Sequence, residues 1–321
     1  MRQNLKNFFL FILAVSVMTA CQTVPEPDNI LEDETTLLSR GNSDRAKGNE
    51  FSAFLTGAEE VRGDGEMGVN AKGAGAATFL LSRDGKSISY KIKISKIEDL
   101  VFAHIHQGAF GENGPVVVTL IPRGAAGPGL LTGYEYEGTI TESDLVGPLA
   151  GKKLSDLVKM MEMGMGYVNV HSAEFPAGEL RGQISVVRPN DNGNYTTQLT
   201  GDQEVHDVDT KARGVGIFRF NNDNTAVSFK VNVAQLENVL FAHIHLAPRG
   251  VNGPVVVTLK ADRIDGRVNG VYAQGNITQN DLQGLLEGGD IYILRAAFRA
   301  GYAYVNVHTD DFPAGELRGQ L

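Results

Sequence analysis

The sequence predicts an all-β protein of two tandem domains, each a β-sandwich or flattened barrel of about eight strands with one short helix. Three observations support this prediction. Long stretches of the chain occur twice, short segments alternate apolar with polar residues, and glycine, asparagine and aspartate separate these segments. Alternation with a period of two is typical of strands that have one buried face.

The repeat defines the domains. Phe102–Leu120 returns almost unchanged as Phe241–Leu259, and a later segment, Tyr167–Arg181, returns as Tyr304–Arg318. We therefore place the first domain at 49–188 and the second at 195–321. The polar stretch 189–194 is interpreted as the linker between them.

Within each copy, the strands and the helix are justified by their spacing. Ile88, Tyr90 and Ile92 alternate with polar residues, and Val227–Val233 repeats the pattern in the second copy. Asp84-Gly85 and Asp223-Asn224 precede these strands and suit hairpin turns, which need residues that tolerate positive φ. The helix of each copy is predicted from apolar residues on one helical face: Leu154, Leu157, Val158 and Met161, echoed by Ile291, Leu294 and Phe298.

Composition sets limits on the class of protein. The chain has 321 residues, 42% of them hydrophobic, which is enough for a core in each domain. Its net charge is -9 and no run of basic residues occurs. An electrostatic grip on nucleic acid is therefore not expected.

The first residues predict export and lipid attachment. Arg2 and Lys6 precede a short apolar run, and residues 1–20 are interpreted as a signal peptide. They end at Cys21 in a segment that resembles a bacterial lipobox, so we expect Cys21 to carry a lipid anchor. Residues 21–48 are polar and acidic and form the predicted tether. Gln22 favours the outer membrane, so we expect a cell-envelope protein held to the membrane by lipid.

Histidines carry the strongest chemical signal. All but one of the seven histidines lie in the repeated segments: His104, His106 and His171 in the first copy, and His243, His245 and His308 in the second. In a strand, the two histidines of an H-x-H pair point to the same face. With a third imidazole alongside, each copy could hold zinc or copper. Glu174 or Asp311 could supply a further ligand.

A second interpretation of the histidines stays open. They could form a polar cluster that closes one end of each domain without any ion. The cluster would be completed by hydrogen bonds with Glu179 and Arg181 in the first copy and with Glu316 and Arg318 in the second.

Four elements in order, AHIH, NGPVVVTL, YVNVH and FPAGELRGQ, resemble the CHRD domain, which was first named in the growth-factor antagonist chordin and occurs in bacterial secreted proteins. The resemblance extends over both copies. It implies the domain type more firmly than an activity. The H-x-H strand is also similar to that of copper-zinc superoxide dismutases, but three histidines per copy are too few for that enzyme's two metal sites.

Two functions follow as expectations. The chain contains no nucleophile elbow, no H-E-x-x-H segment and no phosphate-binding glycine loop, so we expect a non-catalytic module that binds a protein or glycan partner or builds the envelope. The alternative is a metal-binding or metal-dependent redox protein that uses the six repeated histidines.

Overall fold

The computed structural model describes residues 50–188 and 191–321, and over these residues the chain is mostly β-strand with two helices. Both domains belong to one compact unit. The predicted signal peptide, Cys21, the tether and part of the linker lie outside the described residues. The prediction of two tandem all-β domains is confirmed.

In the first domain the structure describes nine strands and helix α1 (Leu154–Glu162). The strands are β1 (Glu50–Thr56), β2 (Ala74–Leu81), β3 (Ile88–Glu98), β4 (Leu100–Gln107), β5 (Val116–Ile121), β6 (Leu130–Ile140), β7 (Gly166–Ser172), β8 (Leu180–Gln183) and β9 (Ser185–Val186). Their order in the sheet is β5-β4-β7-β8-β1-β2-β3-β6, and β9 pairs with β1.

The second domain has seven described strands and helix α2 (Ile291–Arg299). The strands are β10 (Asn194–Thr200), β11 (Arg213–Phe220), β12 (Ala226–Leu246), β13 (Val255–Lys260), β14 (Ile264–Thr278), β15 (Ala303–Thr309) and β16 (Leu317–Gln320). The order is β11-β10-β16-β15-β12-β13, and β12 also pairs with β11, which closes the sheet into a ring.

Among the described residues, the first domain has one strand more than the expected eight because the two-residue strand β9 pairs with β1, and the second has one fewer because β12 is continuous where β3 and β4 are separate. Asp99 separates β3 from β4 and has a φ of 48°, and Asn238 has the same φ but lies inside β12. Strand β14 pairs with β12 on both sides of this bend, from Leu236↔Val268 to Val239↔Ile264. In the first domain, the β6 pairing stops at Glu98↔Leu130.

The turns and helices follow the expected pattern. Gly85 and Asn224 both adopt positive φ, at 69° and 56°, in the hairpins that precede β3 and the first half of β12. The predicted apolar face of each helix faces the core, since Leu157 and Met161 of α1 and Leu294 of α2 are fully buried. Each helix therefore packs its apolar face into the core of its own domain.

The two domains share an interface on which α2 packs against β1, β2 and β3. Phe54 is 3% exposed and belongs to the apolar core of the second domain, where its ring lies 5.4 Å from that of Tyr302. Buried Ser95 donates a hydrogen bond to the Leu285 carbonyl, and Lys93 pairs with Asp290 at 2.5 Å. The domains are held by apolar and polar contacts together.

This docking surface is not repeated in the second domain. The strand pairings place Gln198 where the first domain has Phe54, and Arg213 where it has Ala74. Both Gln198 and Arg213 are exposed. Covering Arg213 with an apolar helix would desolvate its charge, so this face of the second domain does not offer the apolar docking surface of the first.

Replacing Phe54 by alanine tests the interface. We expect Phe54→Ala to lower the free energy of unfolding by about 3–5 kcal/mol, because it removes a buried aromatic ring from the core of the other domain. The measurement is chemical denaturation. The matched control, Gln198→Ala, changes the equivalent exposed position and is expected to shift stability by less than about 0.5 kcal/mol. Equal effects of the two changes would contradict the packing role of Phe54.

Candidate functional site

Strand pairing brings the three histidines of each domain together. Strands β4 and β7 are antiparallel, with Phe102 opposite His171 and His104 opposite Asn169. Ala103 and Ile105, which alternate with the histidines, are fully buried in the core. His104 and His106 therefore occupy the opposite face of β4, beside His171.

The imidazoles form a compact cluster, which we call the tris-histidine cluster of each domain. A ring nitrogen of each histidine lies within 4.8 Å of those of the other two. In the first domain the ring centroid of His104 lies 5.7 Å from that of His106 and 5.5 Å from that of His171. The corresponding separations in the second cluster, His243, His245 and His308, are also 5.7 and 5.5 Å.

Backbone carbonyls orient two rings of each cluster. His106 Nδ1 lies 2.9 Å from the Gly114 carbonyl, and His171 Nδ1 lies 3.0 Å from the Pro176 carbonyl. A carbonyl only accepts hydrogen bonds, so Nδ1 carries the proton and Nε2 presents a lone pair. His245 and His308 make the same contacts with the carbonyls of Gly253 and Pro313.

The remaining ring nitrogens are buried without partners. Among the described residues, no hydrogen-bond partner is found for Nε2 of His106 and His171 or for Nδ1 of His104. The same three atoms of His245, His308 and His243 are also unpaired. Leaving a buried polar atom unpaired costs about 1–3 kcal/mol, so a ligand at these atoms would offset a substantial penalty.

Burial keeps the imidazoles neutral. It lowers the pKa of His104 and His171 to about 4, and that of His243 and His308 to about 4 as well. The pKa values of His106 and His245 are also lowered, again mainly by burial. Because neutral imidazole is the form that binds metal ions, the clusters keep their ligand form without deprotonation near pH 7.

Aromatic rings wall each cluster. Phe102 packs on His104 and His171, with centroid distances of 4.8 and 4.5 Å, and Tyr167 stacks on His106 at 5.0 Å. In the second domain, Phe241 and Tyr304 take these positions. These rings limit rotation of the imidazoles and keep water from their flanks.

A buried arginine holds the loop between β4 and β5 against the cluster. Arg181 is 1% exposed, and its Cζ lies 3.5 Å from the centre of the Tyr167 ring. It donates hydrogen bonds to the carbonyls of Ala109 and Glu112 and to Asn113 Oδ1. Arg318 holds the equivalent loop through the carbonyls of Pro248 and Val251 and through Asn252 Oδ1.

Gly114 connects this loop to the imidazoles. Its N–H donates to the Tyr167 hydroxyl at 3.1 Å, and its carbonyl accepts from His106. A Cβ at Gly114 would lie 1.6 Å from the Gln107 carbonyl oxygen, so only glycine fits. A Cβ at the equivalent Gly253 would lie 1.9 Å from the Leu246 carbonyl oxygen. Each NGP segment thus requires a glycine, because the backbone of a neighbouring residue lies too close to leave room for a Cβ.

The acidic residues expected around the histidines lie elsewhere. Glu179 is buried and accepts a hydrogen bond from Ser172, while Glu316 accepts from the hydroxyls of Thr210 and Thr309. Glu174 and Asp311 are exposed. No carboxylate oxygen of the described residues joins either tris-histidine cluster.

The hydrogen bonds of the clusters therefore differ from the expected network. Arg181 and Arg318 support the neighbouring loops, and the imidazole N–H groups use backbone carbonyls instead of glutamates. The reason is the position of the arginines in the sheet. Arg181 lies on β8, next to the histidine strand β7, and Arg318 lies on β16, next to β15, so their long side chains reach the loops.

A second pair of buried polar residues in each domain was not singled out from the sequence. Glu60 accepts a hydrogen bond from Asn169 Nδ2 at 3.3 Å, and Glu204 accepts one from Asn306 Nδ2 at 3.5 Å. The other oxygens of all four groups are buried without partners. Asn169 and Asn306 in the repeated Y-x-N-x-H segments were the available signal, but the glutamates lie far from them in sequence.

Burial also changes the protonation of these glutamates. It raises the pKa of Glu204 to about 7 and also raises that of Glu60. A proton on the carboxyl group supplies a donor for the neighbouring asparagine oxygen, which otherwise faces a second acceptor. The protonated acid is therefore the form that fits this pair.

The arrangement has a defined chemical capacity. Three neutral imidazole nitrogens are sufficient for zinc or copper, which bind nitrogen at about 2.0–2.1 Å and accept a further ligand. The three ring nitrogens of each cluster lie within 4.8 Å of one another. His104, His106 and His171, with His243, His245 and His308, are thus brought together as two candidate metal sites.

Comparison with known protein families gives one match. The sequence model of the CHRD domain matches the chain twice, at residues 51–184 and 195–321. The two matches together cover more than half of the chain. No match was found among curated proteins.

The fit of Gly114 can be tested by adding one methyl group. We expect Gly114→Ala to destabilise the first domain by about 2–4 kcal/mol, because the new Cβ overlaps the Gln107 carbonyl and displaces the loop that orients His106. The measurement is denaturant unfolding. Gly127→Ala is the control, since a Cβ there meets nothing within 4 Å. A Gly114→Ala protein as stable as this control would contradict the close fit.

The half-buried carboxyl of Glu204 predicts a pH-dependent stability. Its folded pKa is raised, so its contribution is fully present below the unfolded value of about 4.5 and is lost as the pH rises through about 7. We expect Glu204→Gln to gain about 1–2 kcal/mol relative to wild type between pH 5 and pH 8, because glutamine cannot ionise. Unfolding free energies measured at both pH values test this.

A surface variant controls for the change in net charge. Asp202→Asn removes one exposed negative charge from the turn that precedes Glu204, and Asp202 is not part of the Glu204–Asn306 pair. A difference between wild type and Glu204→Gln that stays constant with pH, or one that Asp202→Asn reproduces, would contradict the protonated form of Glu204.

Proposed function

The chain belongs to the CHRD domain family, and we propose that it binds two transition-metal ions, one at the tris-histidine cluster of each domain. The observation that carries the proposal is the set of six buried, unpaired ring nitrogens, arranged three by three in both domains. Each set combines ligand atoms of one type with carbonyl hydrogen bonds that hold the rings.

The alternative of a purely structural cluster is less well supported by this geometry. A structural cluster gains stability by pairing its imidazoles with hydrogen-bond partners. Here only one nitrogen of His106 and one of His171 are paired, and ring nitrogens of the three histidines lie within 4.8 Å of one another. An ion bound by all three nitrogens would give each of them a partner and so remove the free-energy cost of leaving them buried and unpaired.

The proposed role is binding, with no catalytic step assigned. A metal ion at such a site supplies Lewis-acid chemistry, or redox chemistry in the case of copper. Within the described residues, no carboxylate joins the clusters to act as a base. The residues of the chain hold the ligand nitrogens in position, keep them neutral and exclude water from their flanks.

We further propose that the protein works at the cell envelope, held by a lipid on Cys21. The support is the sequence of residues 1–48, with its signal peptide, its single cysteine and its polar tether. Among the helices of the described residues, none is long and apolar enough to cross a membrane.

A second candidate function is contact with a protein or glycan partner through the loop between β4 and β5. Phe110 on this loop is 58% exposed, and Met67, which lies 3.9 Å from a Cβ position at Gly111, is 43% exposed. Exposed apolar side chains grouped on a loop are typical of partner contacts. The second domain has Arg249 in place of Phe110, so this candidate applies to the first domain.

Metal content distinguishes the proposals. We expect the chain from Gly48 to Leu321, loaded with copper or zinc and purified without a histidine tag, to hold about two equivalents of metal by elemental mass spectrometry. His104→Ala and His243→Ala should each leave about one equivalent, because each removes one ligand set.

The seventh histidine provides the control. His206 is exposed and lies outside both clusters, so His206→Ala should keep about two equivalents. A folded wild-type protein that holds no metal after loading, or one whose metal content does not depend on His104 and His243, would rule out the proposed function.

A further inference from the structure

Resting on the proposed metal-binding function, we propose that each tris-histidine cluster selects copper(I) over divalent ions such as zinc. Three features of the clusters favour the ion of lower charge: their uncharged ligands, the arginines behind the tyrosine rings, and the burial of the ligand atoms.

The ligands leave the charge of the ion uncompensated. All three ligand atoms of a cluster belong to neutral imidazoles, and no carboxylate oxygen of the described residues joins them. Copper(I) would therefore retain a charge of +1 and zinc a charge of +2 in a buried place. The solvation energy that an ion loses on burial grows with the square of its charge, so the divalent ion is penalised more.

Nearby arginines increase this difference. The Arg181 guanidinium lies 3.5 Å from the Tyr167 ring, whose other neighbour is His106 at 5.0 Å. Arg318 and Tyr304 stand in the same relation to His245. Both arginines are 1% exposed, so solvent screens their charge little. Each repels a divalent ion more than a monovalent one.

The acids closest to Arg181 compensate only in part. Glu59 and Glu60 both lie near it, but burial raises the pKa of Glu59 to about 7 and raises that of Glu60. Burial thus disfavours the ionised form of both carboxyl groups, which weakens their compensation of the Arg181 charge.

Coordination number favours the same ion. Copper(I) is a d¹⁰ ion that is stable with three ligands, whereas zinc usually takes a fourth, often water, in three-histidine sites. Phe102 packs on His104 and His171, and the ligand nitrogens are buried. A three-nitrogen site whose ligand atoms are buried suits the ion that needs no water to complete its shell.

The two domains differ in the charges beside the clusters. Arg123 lies 5.0 Å from the Phe102 ring that covers the first cluster, whereas the equivalent position of the second domain is Asp262, which pairs with Lys260 at 3.4 Å. Arg123 and Asp262 are both exposed, so the effect is screened by solvent. The first cluster is accordingly the more selective of the two for the monovalent ion.

Competition between the two ions tests the inference. His243→Ala isolates the first cluster and His104→Ala isolates the second. Each protein is loaded with one equivalent of copper(I) without oxygen and titrated with zinc, and free copper(I) is read with a chromophoric copper(I) chelator. We expect each to keep more than half of its copper(I) at about a hundredfold excess of zinc.

The failures of the two proposals give different results. Displacement of half the copper(I) by a tenfold or smaller excess of zinc would overturn the selectivity while leaving the metal-binding function intact. A folded protein that binds neither copper(I) nor zinc would overturn the metal-binding function and the selectivity with it.

A charge reversal outside the ligand set provides a second test. In the protein that retains only the first cluster, we expect Arg123→Glu to raise the affinity for zinc relative to copper(I) by about three- to tenfold at low salt, and by less at high salt. Arg219→Glu, the same change at an exposed site in the second domain, is the control. An unchanged ratio in Arg123→Glu, or an equal change in the control, would contradict the electrostatic basis.

Discussion

The antiparallel pairing of β4 with β7, and of β12 with β15, is the constraint on which both candidate sites depend. It places the H-x-H pair opposite a strand whose own histidine falls on the same face. A shift of one residue in this register would turn the third imidazole into the core and the neighbouring valines outward. The buried Ala103, Ile105, Val168 and Val170 oppose such a shift, because their burial holds the register.

The loop after each H-x-H strand converts this pairing into an oriented site. Arg181 is buried at the cost of desolvating its charge, and it offsets that cost with three hydrogen bonds and a stacked tyrosine. The loop it holds then positions the Gly114 carbonyl that sets the tautomer of His106. The arginine of the FPAGELRG segment thus orients His106 indirectly, through the backbone of the loop. It makes no hydrogen bond with the unpaired ring nitrogens.

The two domains repeat the site but not the surface through which they meet. The distances and hydrogen bonds around His104 and His243 agree closely, including the unpaired nitrogens. The interface, in contrast, uses Phe54, Ser95 and Lys93, whose counterparts in the second domain differ. The two clusters therefore have the same ligand geometry, but the charges around them differ.

The sequence by itself determined the tandem all-β architecture, the positions of the hairpins and the face of β4 that carries the histidines. Each of these follows from a local pattern: an internal repeat, a period of two, and residues that tolerate positive φ. The membership of the six histidines in two sets could also be predicted, since each set recurs as a unit. The copper or zinc prediction remained one of two interpretations at that stage.

Only the tertiary structure decided which groups pair with the imidazoles. The sequence placed Glu179 and Arg181 beside them, but the carbonyls of Gly114 and Pro176 take that role. Every residue has a carbonyl, so no residue type marks the one that will accept a hydrogen bond. The Glu60–Asn169 pair and the docking of Phe54 into the other domain were hidden for a related reason. They join residues far apart in the chain, and their proximity is set by the pairing of distant strands and by domain packing rather than by any local pattern.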